Sequence, residues 1–249
     1  MSGFIHVLFL SWLATVLFFG QARAADPEKD RFTRARAGMI KEIEADVRAT
    51  SSYIGVDRLD PAVMRAMGAV RRHRFVPDRY VSRAYENHPL PIGHGQTISQ
   101  PYIVALMSNL LALKPGARIL EVGTGSGYQA AVLAEMGMQV YSIEIIRPLA
   151  ESARTRLKTE GYDKVQVNIG DGYFGWQEHA PFDGIIVTAA ADHIPPPLLG
   201  QLKNGGRLVI PVGGRFSVQQ LVLASKDDQG TVTTRQILPV RFVPLTRKP

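Results

Sequence analysis

The chain has 249 residues, 45% hydrophobic and 20% charged, enough apolar material for one large domain or two small ones and inconsistent with overall disorder. It contains no cysteine, which excludes both a disulfide framework and a thiolate metal site. The net charge of +7 is dispersed, with short basic clusters only at Arg31, Arg34 and Arg36 and at Arg71, Arg72 and Arg74. These clusters fit solvated helix faces or attraction to acidic substrates and anionic surfaces, and they make no nucleic-acid footprint.

At the start of the chain, Phe4 to Phe19 is a nearly unbroken apolar run closed by Gly20 and Ala22-Arg23-Ala24. It reads as a secretory signal over residues 1–24, cut before Ala25, and loss of Arg23 would lower the net charge to +6. Only His6 could carry positive charge ahead of the run, so an uncleaved N-terminal anchor is the alternative. The run is nevertheless shorter than the ~20 residues of a comfortable transmembrane helix. The expected destination is export, to the periplasm, and no later segment reads as membrane-spanning.

Residues 31 to 50 carry Met39, Ile40, Ile43 and Val47 at helical spacing, and Asp60-Pro61 supplies an N-cap and a first-turn proline for a second helix through Val70. The stretch Asn87 to Gln96, rich in proline and glycine, reads as irregular. Thr97-Ile98-Ser99-Gln100-Pro101 leads from it into an apolar-periodic helix, Tyr102 to Leu113, which Lys114-Pro115-Gly116 breaks. Strand and helix patterns then alternate. Strands are predicted at 118–122, 139–143, 165–169, 182–188 and 207–212, and helices at 128–136, 148–160 and 196–202. Two further β-patterned runs, 219–224 and 231–240, are joined through Asp227-Asp228-Gln229-Gly230. The expected fold is α/β and Rossmann-like: a doubly wound, mostly parallel sheet with antiparallel C-terminal edge strands and a helical N-terminal cap. Residues 25–249 form one domain on this reading, with cap and substrate loop over 25–100 and the cofactor-binding sheet over 101–249.

The most informative stretch is Arg118 to Gln129, where an apolar strand runs into Gly123, Gly125 and Gly127 and then into a helix. Glycines there permit positive φ and let backbone amides face a ligand. A dinucleotide fingerprint is G-x-G-x-x-G. Here the third glycine comes one residue early and Glu121 precedes the first by two, a pattern that favours S-adenosylmethionine over NAD. In an open α/β sheet, ligands bind beyond the carboxyl ends of the strands. Four predicted strand ends carry suitable groups. The first is Glu121 to Gly127, including Thr124 and Ser126. Glu144 follows, placed to accept from ribose hydroxyls, then Asp171 and Gly172, placed to accept from an adenine amino group, and last Thr188-Ala189-Ala190, small enough to leave room for a reacting group. Taken singly, the glycines could form a tight turn, Glu144 could pair with Arg147, and Asp171 could be a turn residue. Ser99 could likewise be an ordinary N-cap.

The combination L-P-I-G-x-G-Q-T-I-S-Q-P, L-E-V-G-T-G-S-G-Y-Q, G-D-G-Y-x-G-W, P-F-D-x-I-I-V-T-A-A, G-G-R-L-V-I-P-V-G and V-R-F-V-P-L, spread in order from Arg71 to Leu245, resembles the protein-L-isoaspartate O-methyltransferases. The resemblance implies methyl transfer from S-adenosylmethionine to L-isoaspartyl, and less readily D-aspartyl, residues of damaged proteins and peptides. It carries Ser99 over as the active-site serine and Thr97 as its neighbour. Ile98 and Gln100 join them on the substrate side, and Val240, Arg241, Phe242 and Val243 form the wall over the isoaspartyl group. Isoaspartyl-containing proteins are then the expected partners of a monomeric chain, with no nucleic acid, no metal, and membrane contact only if the signal is retained. The family is mostly cytosolic, which is the default location if residues 1–24 do not act as a signal. His94 reads as a structural or solvent-facing loop residue. A small-molecule carboxyl methyltransferase and an exported, non-catalytic binder of isoaspartyl peptides are the competing readings. A nucleic-acid amino-methyltransferase would need an Asn/Asp-Pro-Pro-aromatic element where Thr188-Ala189-Ala190-Ala191 stands.

Overall fold

The computed structural model describes residues 27–214 and 218–247, so the predicted signal over residues 1–24 lies outside the described residues. The cap begins with α1 (Pro27–Ala49), α2 (Ser51–Ile54) and α3 (Pro61–Ala69). Asp60 caps α3 by accepting from the Ala62 amide at 2.6 Å. Two 3-10 turns, Arg72–Phe75 and Asp78–Arg83, lead to a hairpin of β1 (Leu90–Gly93) and β2 (Gln96–Ile98), and then to α4 (Pro101–Leu111). The alternating part comprises β3 (Arg118–Val122), α5 (Tyr128–Glu135), β4 (Gln139–Glu144), α6 (Arg147–Thr159), β5 (Gln166–Ile169), β6 (Phe182–Val187), α7 (Pro196–Gln201) and β7 (Leu202–Val212). β8 (Gln219–Lys226) and β9 (Val232–Val240) close the sheet.

The sheet order is β5-β4-β3-β6-β7-β8-β9, parallel from β5 through β7 and antiparallel for the last two strands. Chain order reverses direction at β3, whose neighbours are β4 on one side and β6 on the other, so the loop after β3 opens at a topological switch point. Alternation along the strands divides the core in two. Ile119, Val140, Ile186 and Val209 face α4, α5, α6 and the cap, while Leu120, Val122, Ile143, Ile185, Leu208 and Ile210 face α7 and Trp176. The winding is therefore lopsided: one face carries three long helices and the cap, the other one short helix and two 3-10 turns.

Two local readings are corrected. The stretch 87–96 is not irregular. Leu90 pairs with Ile98 and Pro91 with Thr97, around a tip where Gly93, His94 and Gly95 all have positive φ (97°, 52° and 70°). Proline and glycine density conceals this strand signal, because both residues are depleted in strands; His94 sits exposed at the tip. The helix predicted to reach Leu113 stops at Leu111, where Ala112 adopts a left-handed conformation.

Candidate active site

Two clefts meet at the carboxyl edge of the parallel strands. The first, about 530 Å3, is lined by Gly123, Gly125, Glu144, Ile145, Gly172 and Thr188 together with Val243 to Thr246 from the C-terminal segment. The glycine loop owes its course to close packing. Gly123 has φ 97°, and a Cβ there would stand 2.5 Å from Thr188 Oγ1. That hydroxyl donates to the carbonyls of Val122 and Gly123 at 3.1 and 2.7 Å. Gly127, with φ 89°, turns the chain into α5.

Glu144 lies at the end of β4 and is buried. Its carboxylate accepts from the Gly125 and Ile146 amides, each at 2.9 Å, and does not pair with Arg147, which instead reaches Glu151 at 3.7 Å. A carboxylate offers about four acceptor positions, so two amides leave capacity for a pair of hydroxyls. A carboxylate beside glycine-loop amides, in a cleft with apolar walls, fits the nucleoside part of S-adenosylmethionine.

Asp171 stands apart from these. Its carboxylate caps a 3-10 turn by accepting from the Tyr173 amide at 3.0 Å, and its second oxygen lies 3.5 Å from Arg247 Nε. The turn role is thus present, and Gly172, not Asp171, lines the cleft.

Glu121 is the clearest departure from expectation. It is fully buried on the helix-covered side of β3 and does not line the cleft. Ser142 Oγ donates to it, and Thr124 Oγ1 lies 2.5 Å from the same serine hydroxyl, so Glu121 supports the glycine loop from behind. Burial pushes its carboxyl up to about 8. Alternation along β3 carries the signal for this: Glu121 shares its side with Ile119, whereas Leu120 and Val122 point the other way.

The second cleft, an open one of about 2210 Å3, brings Thr97, Ser99 and Gln100 together with Val240, Arg241, Phe242 and Val243. Thr97 and Thr188 line both clefts, so the two join there. Ile98 is buried beneath, in a narrow passage that Ser99 shares with Gly123, Thr124, Gly125 and Ser126. Ser99 is not the N-cap of α4. Gln100 holds that position without a side-chain bond, and Asn87 Oδ1 accepts from the Tyr102 amide at 3.0 Å in its stead. The Ser99 hydroxyl is therefore not consumed in capping.

Two buried polar residues that sequence reasoning missed hold the walls. Gln219 grips the Phe242 peptide from both sides, accepting from its N–H at 2.6 Å and donating to its carbonyl at 3.1 Å. Arg72, placed by its sequence neighbours in a basic surface cluster, is wholly buried and donates to the Ser99 carbonyl. The C-terminal segment is tied down next to them: the Ala190 amide donates to Val243 O at 2.9 Å, and the Leu245 amide to Ala190 O at 2.7 Å.

Fold and site together define an α/β protein that seats a nucleoside-bearing cofactor against a hydroxyl-lined acceptor cleft. The family model for protein-L-isoaspartate(D-aspartate) O-methyltransferase matches residues 54–249. A protein-L-isoaspartate O-methyltransferase 2 from Syntrophobacter fumaroxidans is 62% identical over 245 residues, covering 98% of this chain and 96% of its own length. Another from a Polaromonas species is 64% identical, over 84% of this chain and 99% of its own. A solved protein-L-isoaspartate O-methyltransferase superposes with a TM-score of 0.75 at 29% identity, over 85% of this chain and 66% of that one. The chain belongs to the protein-L-isoaspartate(D-aspartate) O-methyltransferase family.

Proposed function

We propose that this chain transfers a methyl group from S-adenosylmethionine to the free α-carboxylate of L-isoaspartyl residues, and less readily D-aspartyl residues, in damaged proteins or peptides. The observation that carries this reading is the junction at Thr97 and Thr188, where the glycine-loop cleft opens onto the cleft holding Ser99. When bound, S-adenosylmethionine supplies a methyl on a positively charged sulfur, which leaves with its bonding pair as a carboxylate oxygen takes the methyl.

Glu144 and the glycine-loop amides would hold the nucleoside. On the acceptor side no general base is required, since an α-carboxyl with a pKa near ~3.5 is already ionised at neutral pH. The task left to the protein is alignment at about 3 to 3.5 Å, which can supply several kcal/mol of the barrier. Ser99 and Thr97 have hydroxyls that can donate to the carboxylate and hold it in line without a full positive charge to blunt it. Val240, Phe242 and Val243 give the cleft an apolar wall, which favours a reaction that disperses opposite charges.

The deciding assay is transfer of labelled methyl from S-adenosylmethionine to an isoaspartyl peptide, with its aspartyl twin as control. Equal labelling of both, or of neither, would remove the proposed substrate. The apolar run and Ala22-Arg23-Ala24 support export of the mature chain, and N-terminal sequencing of the protein from a periplasmic fraction should then begin at Ala25.

A further inference from the structure

Arg72 is a cation in the interior with no carboxylate partner among the described residues. It is fully buried, and the charged or ionisable groups that act on it are Tyr128 and Tyr85, not a carboxylate. Burial lowers its pKa to about 10, which leaves it protonated at neutral pH. A buried charge of this kind is costly, and a methionine of similar length would fill the same space without that cost. What a methionine could not do is make the three contacts that Arg72 makes. Its Nε donates to the Ala84 carbonyl and its Nη2 to the Ser99 carbonyl, both at 2.8 Å, and its guanidinium carbon lies 4.7 Å from the centre of the Tyr128 ring.

These contacts belong to different parts of the machinery. Ser99 stands between β2 and α4 in the acceptor cleft, while Tyr128 is the first residue of α5, directly after Gly127 of the glycine loop. A single planar group thus bridges the serine that faces the acceptor and the helix that carries the donor loop. Reaction rate depends steeply on the separation of those two sides, and a misplacement of about 1 Å can cost ~100-fold.

We propose that Arg72 is a positioning residue for methyl transfer, acting through the Ser99 carbonyl and the Tyr128 ring to fix the Ser99 hydroxyl relative to the glycine loop. The inference rests on the activity proposed above and adds a residue to its site. Lysine cannot replace the fork, because an ammonium on a single stem is a point donor that does not span two carbonyls and stack on a ring together.

The test is a double-mutant cycle with Arg72→Lys and Ser99→Ala, read in kcat and KM with an isoaspartyl peptide and in S-adenosylhomocysteine affinity by calorimetry. Arg72→Lys should lower kcat about ten- to a hundredfold with S-adenosylhomocysteine affinity kept within about twofold. In the Ser99→Ala background the same change should cost little more, because both act through one hydroxyl. Amide exchange, which needs no activity, should quicken in peptides covering residues 90–100 and stay unchanged in those covering β6 and β7. Losses that multiply, or an Arg72→Lys variant as active as the parent, would overturn the assignment. Should Arg72→Lys lose S-adenosylhomocysteine binding, Arg72→Gln takes its place, and loss in both would assign Arg72 to the fold alone and overturn the proposal. A parent chain that fails to label the isoaspartyl peptide overturns the functional reading and this inference with it. A parent that labels it while the cycle is multiplicative overturns only the inference.

Discussion

The donor cleft and the acceptor cleft adjoin at Thr97 and Thr188, yet they are built in opposite ways. On the donor side, Gly123, Glu144 and Thr188 lie at strand ends, where the sheet ladder fixes them: Gly123 follows β3, Glu144 ends β4 and Thr188 follows β6. The acceptor cleft joins Thr97, Ser99 and Gln100 to Val240–Val243, segments far apart in the chain. Those walls are held by side chains that bond to backbone across long sequence separations: Arg72 to Ser99, Asn87 to Tyr102, Gln219 to Phe242. Donor geometry is thus inherited from the fold, whereas acceptor geometry depends on a few individual side chains, so single substitutions should separate the two functions.

The largest separation is expected from Ser99→Ala. It removes a hydroxyl that no cap engages, and turnover on an isoaspartyl peptide should fall ten- to a thousandfold, on the order of a lost positioning hydrogen bond. S-adenosylhomocysteine affinity should stay as in the parent. Unchanged turnover would remove Ser99 from the mechanism.

Glu144→Ala should do the reverse. The substitution deletes the acceptor of two loop amides and the group placed for the ribose. Charge-assisted hydrogen bonds are worth about 1.5–3 kcal/mol, so S-adenosylhomocysteine affinity should drop roughly ten- to a hundredfold. Calorimetry showing parental affinity would mean that the nucleoside is held elsewhere. Exposed Glu151, which pairs with Arg147, serves as the control substitution.

A smaller effect, confined to the acceptor side, is expected from Gln219→Leu. It leaves the Phe242 N–H and carbonyl without their side-chain partner, at a cost of about 1–3 kcal/mol. The wall should loosen, raising peptide KM about five- to tenfold while cofactor affinity holds. A variant with unchanged KM would show that the wall keeps its place through the Val243 and Leu245 bonds to Ala190.

The same division explains how far the sequence could be read. The β-α alternation, the parallel sheet with antiparallel edge strands, and the glycine loop with Glu144 depend on local period and on residues adjacent in the chain, and the structure places each of them as expected. The run before α4 places Thr97 and Ser99 beside a helix N-terminus, but their roles and the Val240–Val243 wall come only through likeness to a family, because nothing local ties position 99 to position 240. Arg72 was hidden by its neighbours. Exposed Arg71 and Arg74 both reach Glu160, and Arg72 between them turns inward. Gln219 opens a strand and gives no sign that it will pair with a peptide unit twenty-three positions on. Glu121 was misread for a different reason: its spacing to the glycines suggested cofactor contact, but the alternation of β3 sends it behind the sheet.

That position sharpens the comparison most finely, because Glu121 lines neither cleft and acts from behind the glycine loop through Ser142 and Thr124, so its ionisation should be read in stability. Its carboxyl is raised from 4.5 to about 8, and the first cause is burial, with the charge of Glu144 adding to it. Between those two pH values the folded protein keeps this proton and the unfolded chain has released it. Fewer protons are then bound in the unfolded state, and stability must fall as pH rises through that window. The favourable contribution is complete below pH 4.5 and is lost as pH passes about 8, beyond which the curve levels. Glutamine can accept from the same serine and cannot ionise. Glu121→Gln should therefore remove this part of the slope, so that parent and variant differ least near pH 5 and the variant is the more stable near pH 9 by thermal or denaturant unfolding. Parallel curves for the two proteins across that range would mean that Glu121 is ionised in the folded state, and that a negative charge, not a neutral acid, supports the glycine loop.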